Sequence, residues 1–147
     1  MSDLRDVSLI IKTFDRPQAL DRLLASLRRH GYGDCPVLIA DDSNDPYRDA
    51  VMRTHGDIVD EYVVLPFDTG VSKGRNELLK RVETDYFVIN DDDFVYDERT
   101  DIEWMREQVA ASNLDLLGGV VFEPREFEGW SWRSPVDSLQ SWSKHTF

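Results

Sequence analysis

The chain reads as an α/β domain, a mostly parallel central sheet flanked by helices. Three features of the sequence predict this. Short apolar runs alternate with stretches of helix-spaced leucines, as they do in folds built from strand–helix–strand units. The runs are mostly continuous rather than alternating, which suits strands of a parallel sheet covered on both faces. The residues that break the apolar pattern, chiefly aspartates, follow the strands rather than precede them, and ligands of such sheets bind off the carboxyl ends of the strands. The 147 residues suit one domain with a real core. A content of 41% hydrophobic and 31% charged residues points to a globular chain rather than a disordered one.

The elements follow in order. VSLIIKTF, residues 7–14, predicts a buried first strand. Asp15-Arg16-Pro17 stops it, with Pro17 suited to a first helical turn and Asp15 to its cap. Leu20, Leu23, Leu24 and Leu27 then recur at i, i+3, i+4 and i+7, the spacing of a one-faced helix. Gly31, Gly33 and Pro36 end it. VLIA, residues 37–40, predicts the second strand and runs into Asp41-Asp42-Ser43. A short helix over about 47–54 and a third strand at 63–65 follow. The loop from Pro66 to Gly74 feeds a helix expected over 75–82, with Ser72 as a candidate cap and Arg75 in the first turn. YFVI, residues 86–89, predicts a buried fourth strand that ends in Asn90 and three aspartates. A helix starts at Thr100 or Asp101 with Ile102, Met105 and Val109 turned inward. A further strand is expected at 116–122. We draw the domain boundary there: residues 1–122 form the α/β unit. Residues 123–147, with Trp130, Trp132 and Trp142, form an irregular tail.

Charge and composition exclude several classes of function. A net charge of −12 leaves no basic face for duplex nucleic acid. The lone Cys35 permits no internal disulfide and has no nucleophile context. No segment approaches the roughly 20 apolar residues of a membrane span, and the start has no signal-peptide pattern. Together these give a cytoplasmic expectation. His30, His55 and His145 lack metal-ligand spacing, and the first two read as surface residues.

The candidate chemistry lies in the aspartates. Asp91, Asp92 and Asp93 end an apolar run, where unpaired carboxylates are too costly to bury. In extended backbone, Asp91 and Asp93 face one point and Asp92 another. Hard oxygen ligands of this kind suit Mg²⁺ or Mn²⁺ sharing its coordination with phosphates. The residues therefore allow a D-x-D metal site holding a nucleotide diphosphate, and equally an acidic solvated turn. Asp42 can accept from a base's ring N–H or a ribose hydroxyl; it can as well close a turn with Ser43 and Asn44. Arg75 can neutralise a diphosphate or pair with Glu77 or an aspartate. The 70–74 loop is like a phosphate cradle but lacks the Gly-Lys-Ser/Thr ending of a Walker loop. Lys73 reads as solvated.

Taken in order, VSLIIKTFDRP, VLIADDSNDP, GVSKGRNELL and YFVINDDDF resemble the GT-A glycosyltransferases of family 2. The wording LPF…GRN, DDDFVY and LDLLGG is most like that of the β-1,4-N-acetylgalactosaminyltransferases of ganglioside synthesis. The resemblance covers residues 7 to about 122 and implies a Rossmann-like nucleotide-sugar (donor) binding domain. By it, Thr13, Phe14, Asp15, Asp42, Arg75, Asp91 and Asp92 would contact a UDP-sugar. Asp91 and Asp93 would hold Mn²⁺ or Mg²⁺, and the sugar would pass to a glycan or glycolipid acceptor hydroxyl with inversion. The catalytic base is not identified by the motifs; Glu123, Glu126, Glu128, Asp137 and His145 are candidates by type alone. The rival reading is a non-catalytic nucleotide-sugar-binding or protein-interaction module. A phosphoacceptor receiver and a sugar nucleotidyltransferase are disfavoured, because the required later lysine and the Gly-rich basic first loop are missing.

Overall fold

In the computed structural model, which describes residues 4–119, β1 (Val7–Thr13) forms the middle of a four-stranded sheet and is buried along its whole length. The order of elements is β1, α1 (Pro17–Arg29), β2 (Val37–Asp41), α2 (Arg48–His55), β3 (Glu61–Val64), α3 (Val71–Leu79), β4 (Tyr86–Asp91) and α4 (Ile102–Ala111). The strands run in the order β3-β2-β1-β4, and all the pairings are parallel. This is the α/β architecture that the alternating pattern predicts. A compact unit runs to Asp115, and a second begins at Leu116.

Alternation along β1 sends its side chains to two separate cores. Leu9 and Ile11 join Leu20, Leu23, Leu24 and Leu27 of α1, Val37 and Ile39 of β2, Val51 of α2 and Ile102 of α4. Ile10 faces the other way, with Leu38, Ala40 and Leu78 of α3. The first core is large because α1, α2 and α4 all contribute buried side chains to that face. The second is small because, among the described residues, α3 is the helix that closes it. Asp101 caps α4, its carboxylate accepting from the Trp104 N–H at 2.8 Å. Ile102 is buried there, whereas Met105 and Val109 are only half-buried.

Several local expectations are corrected. β4 is not a buried strand: among the described residues it is an edge strand whose exposure alternates, with Phe87 and Ile89 45% and 43% exposed. Among the described residues no helix covers the second face of its apolar run. The third strand lies at Glu61–Val64, two residues earlier than its apolar residues suggest. α3 begins at Val71, so Arg75 sits in its second turn. The cap is Gly70 rather than Ser72, because a φ of +91° turns the chain into the helix there. Asp15 does not cap α1; it adopts a φ of +52°, and Arg16 holds the cap position without a side-chain bond. His55 is buried rather than superficial, 2.8 Å from Asp21 through Nε2 and 3.3 Å from Arg28 through Nδ1. Residues 116–119 form no strand. The rest of that expected strand, the tail tryptophans and the catalytic-base candidates Glu123, Glu126, Glu128, Asp137 and His145 lie outside the described residues.

Candidate functional site

The register aligns the acidic strand ends. Thr13 of β1 pairs with Asp41 of β2, Lys12 with Asp91 of β4, and Asp41 with Val64 of β3. Asp15, Asp42 and Asp91–Asp93 therefore all emerge at the carboxyl edge of the sheet, as the positions of the breaks predict.

The end of β2 is buried and fully bonded. Asp41 accepts from the Ser43 N–H (2.9 Å), the Ser43 hydroxyl, the Tyr47 N–H (3.3 Å) and the Tyr62 hydroxyl (2.6 Å). Burial, and then the bond to Asp41, raise the Tyr62 phenol above its ordinary range. Asp42 is 1% exposed. One of its oxygens is ion-paired with Lys12, and the other accepts the Gly70 N–H at 2.8 Å. Its backbone carbonyl takes the Asp68 N–H at 3.1 Å.

The end of β1 bridges the other two. Thr13 is buried and donates through Oγ1 to Asp92 at 2.8 Å. Phe14 is exposed and lies against Phe67, with ring centroids 5.8 Å apart. Asp15 is also exposed; its N–H donates to the Ser43 hydroxyl at 2.8 Å. Arg16 reaches across to Asp92 at 3.3 Å and Asp93 at 3.1 Å.

At the end of β4 the aspartates do not sort as strict alternation suggests. The strand stops at Asp91, and a turn follows, so Asp92 and Asp93 share Arg16 while Asp91 turns to Arg75 of α3 at 2.5 Å. Of its alternative partners, Arg75 takes the aspartate and not Glu77, which pairs with Lys80 and Arg81. The buried Arg75 Nε has no hydrogen-bond partner among the described residues. A hollow of about 730 Å³ lies along the β3–α3 loop, lined in part by Phe67, Asp68, Lys73, Asn76 and Lys80. None of Asp42 and Asp91–Asp93 lines it.

The donor set fits a hard divalent cation in type, since Asp91 and Asp93 are half-exposed carboxylates. Among the described residues no three His, Cys, Asp or Glu side chains gather to hold an ion. A cation here would take the rest of its shell from phosphate or water.

Besides Arg16, Lys12 is a member of this site that sequence reasoning missed. It is 8% exposed, its Nζ bonds Thr13 O at 2.7 Å as well as Asp42, and its stem lies against Gly74. A single charged residue inside the mostly apolar strand VSLIIKT was the available signal. A cation is buried only with a partner, so one of the strand-end carboxylates was called for, though the sequence does not say which.

Comparison with known proteins decides the family. The description "Glycosyl transferase family 2" matches residues 8–146, which runs beyond the motifs quoted above. The chain belongs to glycosyl transferase family 2. It is 38% identical over 115 residues to beta-1,4 N-acetylgalactosaminyltransferase 2 of Mus musculus, which is 78% of this chain and 21% of that protein. Against beta-1,4 N-acetylgalactosaminyltransferase 1 of Homo sapiens it is 38% identical over 125 residues, 85% of this chain and 22% of that protein. The chain thus spans about a fifth of the length of these curated relatives. Among solved structures it is similar to TarS of S. aureus, with a TM-score of 0.56 and 23% identity over 71% of this chain and 19% of that one. It is also similar to the mannosyltransferase PcManGT of Pyrobaculum calidifontis, solved with GDP-Man and Mn²⁺. That match has a TM-score of 0.53 and 22% identity, over 64% of this chain and 29% of that one. These likenesses carry the fold, which is that of the GT-A glycosyltransferases. Among the described residues no helix is long and apolar enough to cross a membrane.

Proposed function

We propose that this family 2 domain binds a UDP-sugar at the carboxyl edge of its sheet, with a divalent cation, and passes the sugar to a glycan or glycolipid hydroxyl with inversion. The observation that carries the reading is Arg75. It spans from α3 to Asp91, yet its buried Nε–H is unpartnered, so a donor remains for an anion beside the acidic strand end. In an acidic chain, a diphosphate beside three aspartates needs added positive charge.

Asp91 and Asp93 would hold Mn²⁺ or Mg²⁺ together with the phosphate oxygens; when bound, the ion offsets charge developing on the departing UDP. That PcManGT was solved with Mn²⁺ supports the use of a metal. Arg75 holds the diphosphate from the α3 side. Phe14 and Asp15 border the base, and Thr13 keeps Asp92 in place beneath them. Each Asp42 oxygen has one partner, Lys12 or the Gly70 N–H, and keeps a further lone pair for the uracil ring N–H. The acceptor oxygen bonds to the anomeric carbon as the bond from that carbon to the UDP oxygen breaks. The acceptor proton goes to a base outside the described residues.

Calorimetric titration of UDP with and without Mn²⁺ tests this. The expectation is manganese-dependent binding that Asp93→Ala abolishes and Arg75→Met weakens about tenfold or more. No manganese-dependent heat at millimolar UDP, or an Asp93→Ala variant that binds as well as the parent, overturns it. Binding of a UDP-sugar with no release of free sugar favours the non-catalytic module.

A further inference from the structure

We propose that Lys12 is a positioning residue: from the centre of the sheet it fixes the first turns of α3, and with them Arg75, against the end of β4. This deepens the donor-site reading and rests on it for its functional consequence.

Lys12 meets α3 by two independent routes. The first is electrostatic. Lys12 Nζ pairs with one oxygen of Asp42, and the other oxygen of the same carboxylate accepts the N–H of Gly70, the cap of α3, at 2.8 Å. The second is steric. The Lys12 stem fills the space over Gly74, where an added Cβ would lie 2.4 Å from Lys12 Cδ and 2.6 Å from Cε. Gly70 and Gly74 are joined by the first helical bond, Gly74 N–H to Gly70 O at 2.9 Å. Arg75 follows Gly74 directly. The target is level with the origin, because Lys12 is the register partner of Asp91, the residue Arg75 grips.

A direct role for Lys12 in holding phosphate does not fit. Its side chain is 4% exposed, and the ammonium is already engaged by Asp42 and by the Thr13 carbonyl at 2.7 Å. Breaking a buried pair from one side leaves a stranded charge. In Lys12→Met, Asp42 would turn toward water and release Gly70, freeing the helix start.

The test uses this 147-residue chain without ligand first. Amide hydrogen exchange is measured for the parent, Lys12→Met, Gly74→Ala and, as a control, Lys80→Met, whose partner is the exposed Glu77 pair on the far end of α3. Lys12→Met should speed exchange at Gly70 by about tenfold or more, the scale of a lost bond to a charged group. Exchange at Leu9–Ile11 should stay within about twofold, and the Arg75 Nε–H resonance should shift. Gly74→Ala should act in the same direction with both charges kept, and it decides the matter if Lys12→Met does not fold. Lys80→Met should do neither. Unchanged exchange at Gly70, or acceleration shared equally by Leu9–Ile11, overturns the proposal. With UDP and Mn²⁺, Lys12→Met should bind about tenfold more weakly than the parent; equal affinity overturns the positioning role. If the parent itself binds no UDP, the donor reading fails, and exchange at Gly70 with the Arg75 resonance judges Lys12 alone.

Discussion

At the end of β2, Asp41 and Asp42 are 0% and 1% exposed, and every oxygen is engaged inside the protein. At the end of β4, Asp91 and Asp93 keep about half of their side-chain surface in water, and their ion pairs among the described residues are with arginines. Residues of one type at level strand ends thus do opposite work. The buried pair accepts from fixed backbone and hydroxyl donors and ties loops to the sheet. The exposed pair is held by long cations that an incoming ligand can displace or share. The difference follows from place. β2 is an inner strand between β1 and β3, whereas β4 is the edge strand among the described residues.

The strongest way to break this contrast is Asp41→Ala. It strands the Ser43 and Tyr47 N–H groups and the Ser43 and Tyr62 hydroxyls in a dry place. We expect a loss on the order of 3–5 kcal/mol in urea unfolding followed by circular dichroism. A loss under about 1 kcal/mol would mean that the β2 end is not the rigid one. Next in size is Gly74→Ala. Alanine in a helix interior ordinarily gains up to about 1 kcal/mol over glycine. Here the clash with the Lys12 stem should reverse the sign, for a net cost of about 1–3 kcal/mol. A stabilised variant would show that the stem moves aside freely.

Much of the fold was legible because each part had a local cause. The leucines of α1 recur on one face, and β1 and β2 are continuous apolar runs because both of their faces are covered. β4 misled because apolar residues at an edge look the same as apolar residues in a centre; strand order is a property of the whole sheet. The site was legible as a set of aspartates and an arginine, but not as partnerships. Nothing local says that Asp92 bonds Thr13, 79 residues away, or that Lys12 seeks Asp42. His55 was misread for the same reason: its partners, Asp21 and Arg28, lie on the neighbouring helix α1.

Alkaline pH should weaken the fold, in part through the β2 end. Burial and the Asp41 bond raise the Tyr62 phenol, so the folded chain keeps a proton that the unfolded chain releases above about pH 10. Its contribution is complete below that pH and declines as pH rises, by at most about 1.4 kcal/mol per unit. Burial, with Asp34 and Asp6 near, likewise pushes the Cys35 thiol up to about 12, which adds a decline beginning near pH 8.5–9. Unfolding at pH 9, 10 and 11 should show both slopes. Burial raises the Tyr32 and Tyr96 phenols as well, so Tyr62→Phe should lessen the upper slope and Cys35→Ala should remove the lower, and slopes unchanged in those variants would assign them elsewhere.

The smallest effect on stability should come from the β4 end. Asp93 is 53% exposed and meets Arg16, itself 58% exposed, at 3.1 Å. Exposed pairs of this kind contribute about 0–1 kcal/mol and weaken with salt. Removing one of three neighbouring carboxylates also relieves repulsion, and Arg16 retains Asp92 at 3.3 Å. Asp93→Ala should therefore unfold within about 1 kcal/mol of the parent at any salt concentration, while losing manganese-dependent binding of UDP. That pairing of results would separate an aspartate kept for a ligand from one kept for the fold. A loss of stability comparable to that of Asp41→Ala would instead make both strand ends structural, and the acidic run at β4 would need no ligand to explain it.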